Sequence, residues 1–215
     1  MREITLKTIE EEKIIVIVRG VPKDKLIPLA EAMYKGGVRL LEITYSQKGE
    51  PSDEDVAEGI KLLTGHFKGR MLIGSGTTLT KKQVALTKKA GGAFIISPDV
   101  NPAVIKKTRG LSMVSIPGAL TPTEIVTAQS AGADFVKLFP ITNLGVSYFK
   151  AVSAPLSDVK FLAVGGIDEG NISEYLKAGV SGFGIGGNIV KKELIESGRF
   201  EEITELAKAY VEAVK

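Results

Sequence analysis

The chain has 215 residues, 44% hydrophobic and 25% charged, with a formal net charge of +3. That is apolar material for one sizeable core, and a basic excess interleaved with acids, as in KKELIESGRFEE, with 6% aromatics, lacks the patch and stacking rings of a nucleic-acid reader. There is no cysteine and a single histidine, His66, which excludes disulfides, thiolate nucleophiles and His- or Cys-built metal centres and argues against a Ser-His-Asp triad.

The N-terminal run MREITLKTIEEEK is charged and has no apolar stretch of the signal-peptide kind. No run approaches the roughly 18 apolar residues of a membrane span, so the expectation is a cytoplasmic protein with neither membrane nor nucleic acid as partner. Beyond that run, short β-branched segments alternate with helical patterns. The strands expected are 13–19 (KIIVIVR), 40–45, 71–77, 93–98, 112–118, 134–140 (DFVKLFP), 159–166 (VKFLAVGG) and 181–187 (SGFGIGG). Apolar residues dominate both faces, as in buried parallel strands. His66, in TGHFKGR, reads as a solvated loop histidine. Helix starts are expected at Thr80, at Thr121 with Pro122 next and Glu124 three on, and at Asp168. In the last helix Phe200, Ile203, Leu206, Ala207, Tyr210, Val211 and Val214 share one stripe.

The segments KGGVRLLEI, KAGGAFIIS, SAGADFVKL and KAGVSGFGI each place a glycine turn (Gly36, Gly91, Gly132, Gly179) between a helix end and a strand. They recur about two βα units apart. Eight such units predict a single-domain (β/α)8 TIM barrel over residues 1–215. The formal G-x-G-x-x-G match at Gly182, Gly184 and Gly187 does not rescue a doubly wound sheet, because it follows the last strand and no βαβ unit remains to complete it.

Three strands carry a charge on the face that points into the barrel. Lys137 alternates with Val136 and Leu138 and shares its face with Phe135 and Phe139; desolvation there disfavours the ammonium, and a neutral amine is what carbonyl attack requires. Glu42 shares a face with Leu40 and Thr44, where a carboxylate can relay protons. The plain alternative for the two is a structural ion pair. Arg19 closes the face of Ile15 and Ile17 at a strand's C-terminal end, where barrel active sites lie, and its planar fork suits a carboxylate or phosphate. Glycine turns end the last two strands, Gly165-Gly166 and Gly186-Gly187-Asn188. Backbone N–H groups there can converge on an anion, the usual phosphate place in this fold.

With IVRG, GGVRLLEIT, IGSGTT, FIISPD, IPGALTPTE, AGADFVKLFP, AVGGID and GIGGNIV in order along nearly the whole chain, the sequence resembles the 2-keto-3-deoxy-6-phosphogluconate (KDPG) and 4-hydroxy-2-oxoglutarate (KHG) aldolase family. The resemblance implies a class I lyase without cofactor or metal, commonly a homotrimer, that cleaves KDPG to pyruvate and D-glyceraldehyde 3-phosphate, and KHG to pyruvate and glyoxylate. It makes Lys137 the Schiff-base residue and Glu42 the general acid/base. Arg19, Gly76, Thr77 and Pro98 would hold the keto-acid carboxylate, Phe139 the pocket wall, and Gly165, Gly166, Gly186, Gly187 and Asn188 the phosphate. Two positions depart from the gluconate pattern. Val164 stands where Thr is frequent, which is closer to the 6-phosphogalactonate branch, and Asn188 stands where Ser is common. The competing readings are that galactonate aldolase, a phosphosugar epimerase-like barrel without a Schiff base, and a non-catalytic phosphate binder.

Overall fold

The computed structural model describes all 215 residues. The chain opens with a helix, α1 (Arg2–Glu12), followed by β1 (Ile14–Val18), α2 (Lys23–Lys35), β2 (Leu40–Thr44), α3 (Asp53–Phe67) and β3 (Leu72–Gly76). Then come α4 (Lys81–Lys89), β4 (Phe94–Ile96), α5 (Pro102–Gly110), β5 (Val114–Ile116), β6 (Gly118–Ala119) and α6 (Pro122–Ser130). The last third holds β7 (Val136–Leu138), α7 (Gly145–Ser153), β8 (Phe161–Val164), α8 (Ile172–Ala178), β9 (Gly182–Ile185), α9 (Lys192–Glu196) and α10 (Phe200–Ala213).

All pairings are parallel, in the order β5-β4-β3-β2-β1-β9-β8-β7-β6. The ring closes through one stretch of chain. Residues 114–119 are the fifth barrel strand, pairing with β4 by its first half (Ile95 with Ser115) and with β7 by its second (Gly118 with Lys137). The segment divides at Pro117, which has no N–H to donate, although its carbonyl still accepts from Lys137 N at 2.8 Å. The result is the expected (β/α)8 barrel, with its fifth strand in two pieces.

Two cores result. A large one lies between strands and helices, with Val16, Leu41, Ile73, Leu138, Ala163 and Phe183 facing the helical ring. A smaller one fills the lower barrel with Ile15, Leu40, Leu72, Phe94, Val114, Phe135 and Leu162. Ile9 of α1 belongs to this inner core, fully buried. α1 therefore plugs the N-terminal mouth, a helix that its charge-rich sequence did not announce. Only Thr5 and Ile9 of it are buried, so it has almost no apolar stripe to detect. Arg2 anchors it to Asp134, which also receives Arg109 and accepts from Ser115 N at 2.9 Å.

Helix starts follow local chemistry. Thr80 with Gln83 and Thr121 with Glu124 form reciprocal capping boxes, as the sequence indicates. Asp168 is a correction: α8 begins only at Ile172, after Asn171. The Asp168 carboxylate instead accepts from Gly170 N (2.9 Å) and Asn171 N (3.1 Å), closing a turn before the helix. His66 is a second correction. The capping box at Ser52 and the buried Val56, Ile60, Leu63 and Phe67 carry α3 through the glycine before it, so His66 sits in its last turn, with Nε2 2.6 Å from Glu31 Oε1. Of the repeated turn glycines, Gly91, Gly132 and Gly179 have φ of +88°, +99° and +102°. In the first repeat that role falls to Gly37 (+97°), while a Cβ on Gly36 would lie 2.5 Å from that of Ala207, so Gly36 lets α10 close on α2. No helix is long and apolar enough to cross a membrane.

Candidate active site

Alternation along the strands fixes what stands above the inner core. Past Leu40 on β2 comes Glu42, and past Phe135 on β7 comes Lys137; they are 2% and 7% exposed. Both point inward, as their alternation predicts. Glu42 is flanked across the sheet by Ile17 and Gly74, and Lys137 by Gly118 and Leu162. Burial pushes the Glu42 carboxyl up to about 7, with the Lys137 and Arg19 charges pulling the other way. Burial likewise holds the Lys137 amine below the usual lysine range; Glu42 opposes that shift and Arg19 adds to it. Glu42 Oε2 is buried without a hydrogen-bond partner, so the carboxylate retains a free acceptor. Lys137 Nζ lies 4.4 Å from the centre of the Phe139 ring, which shields it from water.

Glycines make the room. A Cβ on Gly76 would lie 2.3 Å from Glu42 Oε1, so the carboxylate packs directly on the β3 backbone. At Gly118 a Cβ would meet the Pro98 carbonyl at 2.6 Å, which brings Pro98 and the end of β4 against the strand that pairs with Lys137. Just past Gly76, Thr77 adopts φ +53°, a left-handed conformation that costs a non-glycine residue about 1–3 kcal/mol. Its Oγ1 accepts from Arg19 Nη2 at 3.5 Å.

At the other side of the mouth the turns after β8 and β9 form most of the wall of a cavity of about 440 Å³. Gly165 and Gly166 have φ of +98° and +67°, and a Cβ on Gly166 would also press on Thr142 at 2.8 Å. Asn171 Nδ2 donates to the Gly166 carbonyl (2.7 Å), and Asn188 Nδ2 to that of Ile167 (2.9 Å). Two side-chain amides thus occupy loop carbonyls, while the N–H groups of Gly165, Gly166, Gly186, Gly187 and Asn188 carry no protein acceptor. Free N–H groups gathered on one cavity wall favour an anion.

Arg19, Phe139, Gly165, Gly166, Gly186, Gly187 and Asn188 all line this cavity. Lys137 and Glu42 do not; they lie deeper, behind the Phe139 ring and beside Gly76. Thr77 and Gly76 reach the group through Arg19 and Glu42, and Pro98 stands beside Gly118. The wall also contains Val164, whose place at the site the sequence indicates, and Ile17, Ile167 and Val190, which sequence reasoning did not place there. Alternation past Ile15 would have placed Ile17; Ile167 and Val190, in the turns after β8 and β9, carry no such signal.

Residues 5–206 match the family model described as KDPG and KHG aldolase. The chain is 32% identical to the 2-dehydro-3-deoxy-phosphogluconate aldolase of Haemophilus influenzae, covering 98% of this chain and 96% of that one. It is equally 32% identical to the 2-dehydro-3-deoxy-6-phosphogalactonate aldolase of Escherichia coli, over 94% and 96%. Among solved structures, the KDPG aldolase of Legionella pneumophila, with pyruvate captured as a covalent carbinolamine intermediate, superposes with a TM-score of 0.85 at 30% identity, covering 95% of this chain and 96% of that one. A buried lysine beside a buried carboxylate, inside a barrel of this descent, leads to one assignment: the chain belongs to the KDPG and KHG aldolase family and is a class I aldolase.

Proposed function

We propose that Lys137 is the Schiff-base residue and that the substrate is a phosphorylated 2-keto-3-deoxy sugar acid, KDPG in the first instance, cleaved to pyruvate and D-glyceraldehyde 3-phosphate. The observation that carries this reading is the burial of Lys137 and Glu42 together, on inward faces of two strands, beneath a cavity rimmed by free backbone N–H groups. The neutral amine adds to the C2 carbonyl, and the carbinolamine loses water to an iminium. Glu42, with a pKa of about 7, is poised to give and take protons near neutrality. The iminium accepts the electron pair of the C3–C4 bond as it breaks, the C4 hydroxyl loses its proton and leaves as the aldehyde, and the enamine is protonated at C3 before hydrolysis frees pyruvate. Arg19 and Thr77 hold the carboxylate, Phe139 walls the nucleophile, and the glycine turns with Asn188 hold the phosphate. A homotrimer, the state the family resemblance implies, is part of this reading, and sedimentation velocity measures it directly.

Borohydride reduction in the presence of pyruvate tests the chemistry. It should add the reduced pyruvyl mass at Lys137 in peptide mapping; label elsewhere, or none, rejects the lysine. A second reading, preference for the 6-phosphogalactonate epimer, is favoured by Val164, an apolar wall residue where a threonine hydroxyl could meet a substrate hydroxyl. Steady-state kcat/KM on the two epimers and on KHG decides between them, and a faster galactonate epimer reassigns the substrate without touching the mechanism.

A further inference from the structure

Behind Thr77 lies a buried chain of hydroxyls that the chemistry above does not use. Tyr45 Oη stands 2.9 Å from Thr87 Oγ1 and 3.1 Å from the Gln83 carbonyl. Thr87 Oγ1 is 2.9 Å from Ser75 Oγ and equally 2.9 Å from the Gln83 carbonyl, and Ser75 Oγ is 2.8 Å from Thr78 Oγ1. All four residues are buried: Ser75, Thr78 and Thr87 at 0% and Tyr45 at 2% exposure. Burial raises the Tyr45 phenol to about 12, so it remains a proton donor, and one consistent direction runs Tyr45 to Thr87 to Ser75 to Thr78.

The chain brackets one residue. Ser75 and Thr78 flank Gly76-Thr77, so their hydroxyl contact closes a short loop around the left-handed backbone at Thr77. That loop is pinned further by Tyr45 N to the Gly76 carbonyl (2.9 Å), Thr78 N to the Ile96 carbonyl (3.2 Å) and Ser97 Oγ to the Thr78 carbonyl (2.6 Å). A strained non-glycine conformation persists only where its surroundings over-determine it. Here the strained residue is the one whose hydroxyl receives Arg19, and its neighbour is the glycine on which the Glu42 carboxylate packs. We propose that Tyr45 and Thr87 are positioning residues: by holding the Ser75–Thr78 hydroxyl pair from the helix side, they set Thr77 and Arg19 for the carboxylate of the keto acid. Neither touches substrate.

This inference rests on the Schiff-base reading, and the experiment separates the two. Tyr45→Phe and Thr87→Val, which keep ring and volume, are compared with Thr87→Ser, which keeps the hydroxyl, by borohydride trapping across a pyruvate titration and by steady-state kinetics. The first two variants should need about tenfold more pyruvate for half-maximal trapping, with a matching rise in KM. The trapping rate at saturation and kcat should stay within about twofold of the parent, because Lys137 and Glu42 remain in place. Thr87→Ser should restore the parent value. If the parent is not trapped at Lys137, the Schiff-base reading fails and the positioning claim falls with it. If the parent is trapped while both hydroxyl-deleted variants share its half-saturation point and merely melt earlier, the chain is scaffold alone and only the positioning claim is overturned. Should Thr87→Val fail to fold, Tyr45→Phe, which loses a single oxygen, decides the question by the same half-saturation point.

Discussion

Glu42 is ionisable in a place where ionisation is costly. Its folded pKa of about 7 stands above the ordinary glutamate value of 4.5, so its contribution to stability is full below about pH 4.5 and is lost as pH rises through about 7. At pH 8 the buried carboxylate therefore costs on the order of 3 kcal/mol relative to its own protonated form. Glu42→Gln removes that proton equilibrium. Across a melting series from pH 5 to pH 8, the variant should lose less stability than the parent and melt several degrees higher at the alkaline end, while kcat falls by about 10²–10⁴. A variant whose melting temperature tracks the parent's at every pH would place the carboxylate in water, not in the barrel. Gly76→Ala tests the same carboxylate from the neighbouring strand. The backbone at Gly76 does not have a positive φ, so the new methyl acts through its 2.3 Å approach to Glu42 Oε1. kcat should fall at least about tenfold with the Lys137 adduct still forming, as read by trapping at saturating pyruvate. Lys137 and Glu42 were legible in the sequence because a charge flanked by aliphatic residues at period two points into the barrel, and Arg19 because it closes the inward face of Ile15 and Ile17 at a strand end. The Tyr45–Thr87 chain was not legible, because hydroxyl residues on a helix-facing side look like ordinary polar positions until distances join them.

Among the elements, the strands and their order followed from apolar runs separated by capped helices, and their ends moved by only a few residues. What the pattern could not give was set by single atoms or by tertiary burial. Pro117 divides the fifth strand because a proline lacks one donor, although the apolar run around it is continuous. Asp168 looked like a helix cap but folds its own turn, because glycine two residues on lets its carboxylate reach backbone N–H groups first. α1 was the least legible element. It buries two residues, and its place is decided by the open lower end of the barrel rather than by its own amphipathicity. Ile9→Ala should expose how much that plug matters. Removing a fully buried side chain from the inner core should cost about 2–5 kcal/mol, a fall of roughly 5–15 °C in melting temperature. KM and kcat well below the transition should hardly change, since Ile9 packs with the layer beneath Lys137 and Glu42 rather than with either of them. A variant that melts like the parent would mean that α1 is not seated in the barrel.

As a whole, the molecule places stability at one end and chemistry at the other: a dry apolar layer closed by α1 below, and charged groups and free N–H donors above. The upper end is itself divided. Around the ring, Arg19, Glu42 and Thr77 come from the ends of β1, β2 and β3, the free N–H groups from the turns after β9 and β8, which follow β1 on its other side, and Lys137, with Phe139 just past it, from β7 beyond β8. If the glycine turns carry the phosphate, damage there should be felt only by substrates that have one. Gly166→Ala is the sharpest probe, because Gly166 combines φ +67° with a Cβ position 2.8 Å from Thr142, so the turn must deform whichever way the methyl is accommodated. The expected outcome is a kcat/KM for the phosphorylated sugar acid reduced by about 10²-fold, with kcat/KM for KHG, which has no phosphate, within about threefold of the parent. Heat unfolding gives an independent reading of the same end. A ligand at 100 times its Kd stabilises the fold by about 2.7 kcal/mol, so a titration with inorganic phosphate should raise the parent's melting temperature and leave that of Gly166→Ala nearly unmoved. Equal losses on both substrates would show instead that the turn supports Lys137 through Phe139, and the anion would then have to be sought elsewhere along the rim.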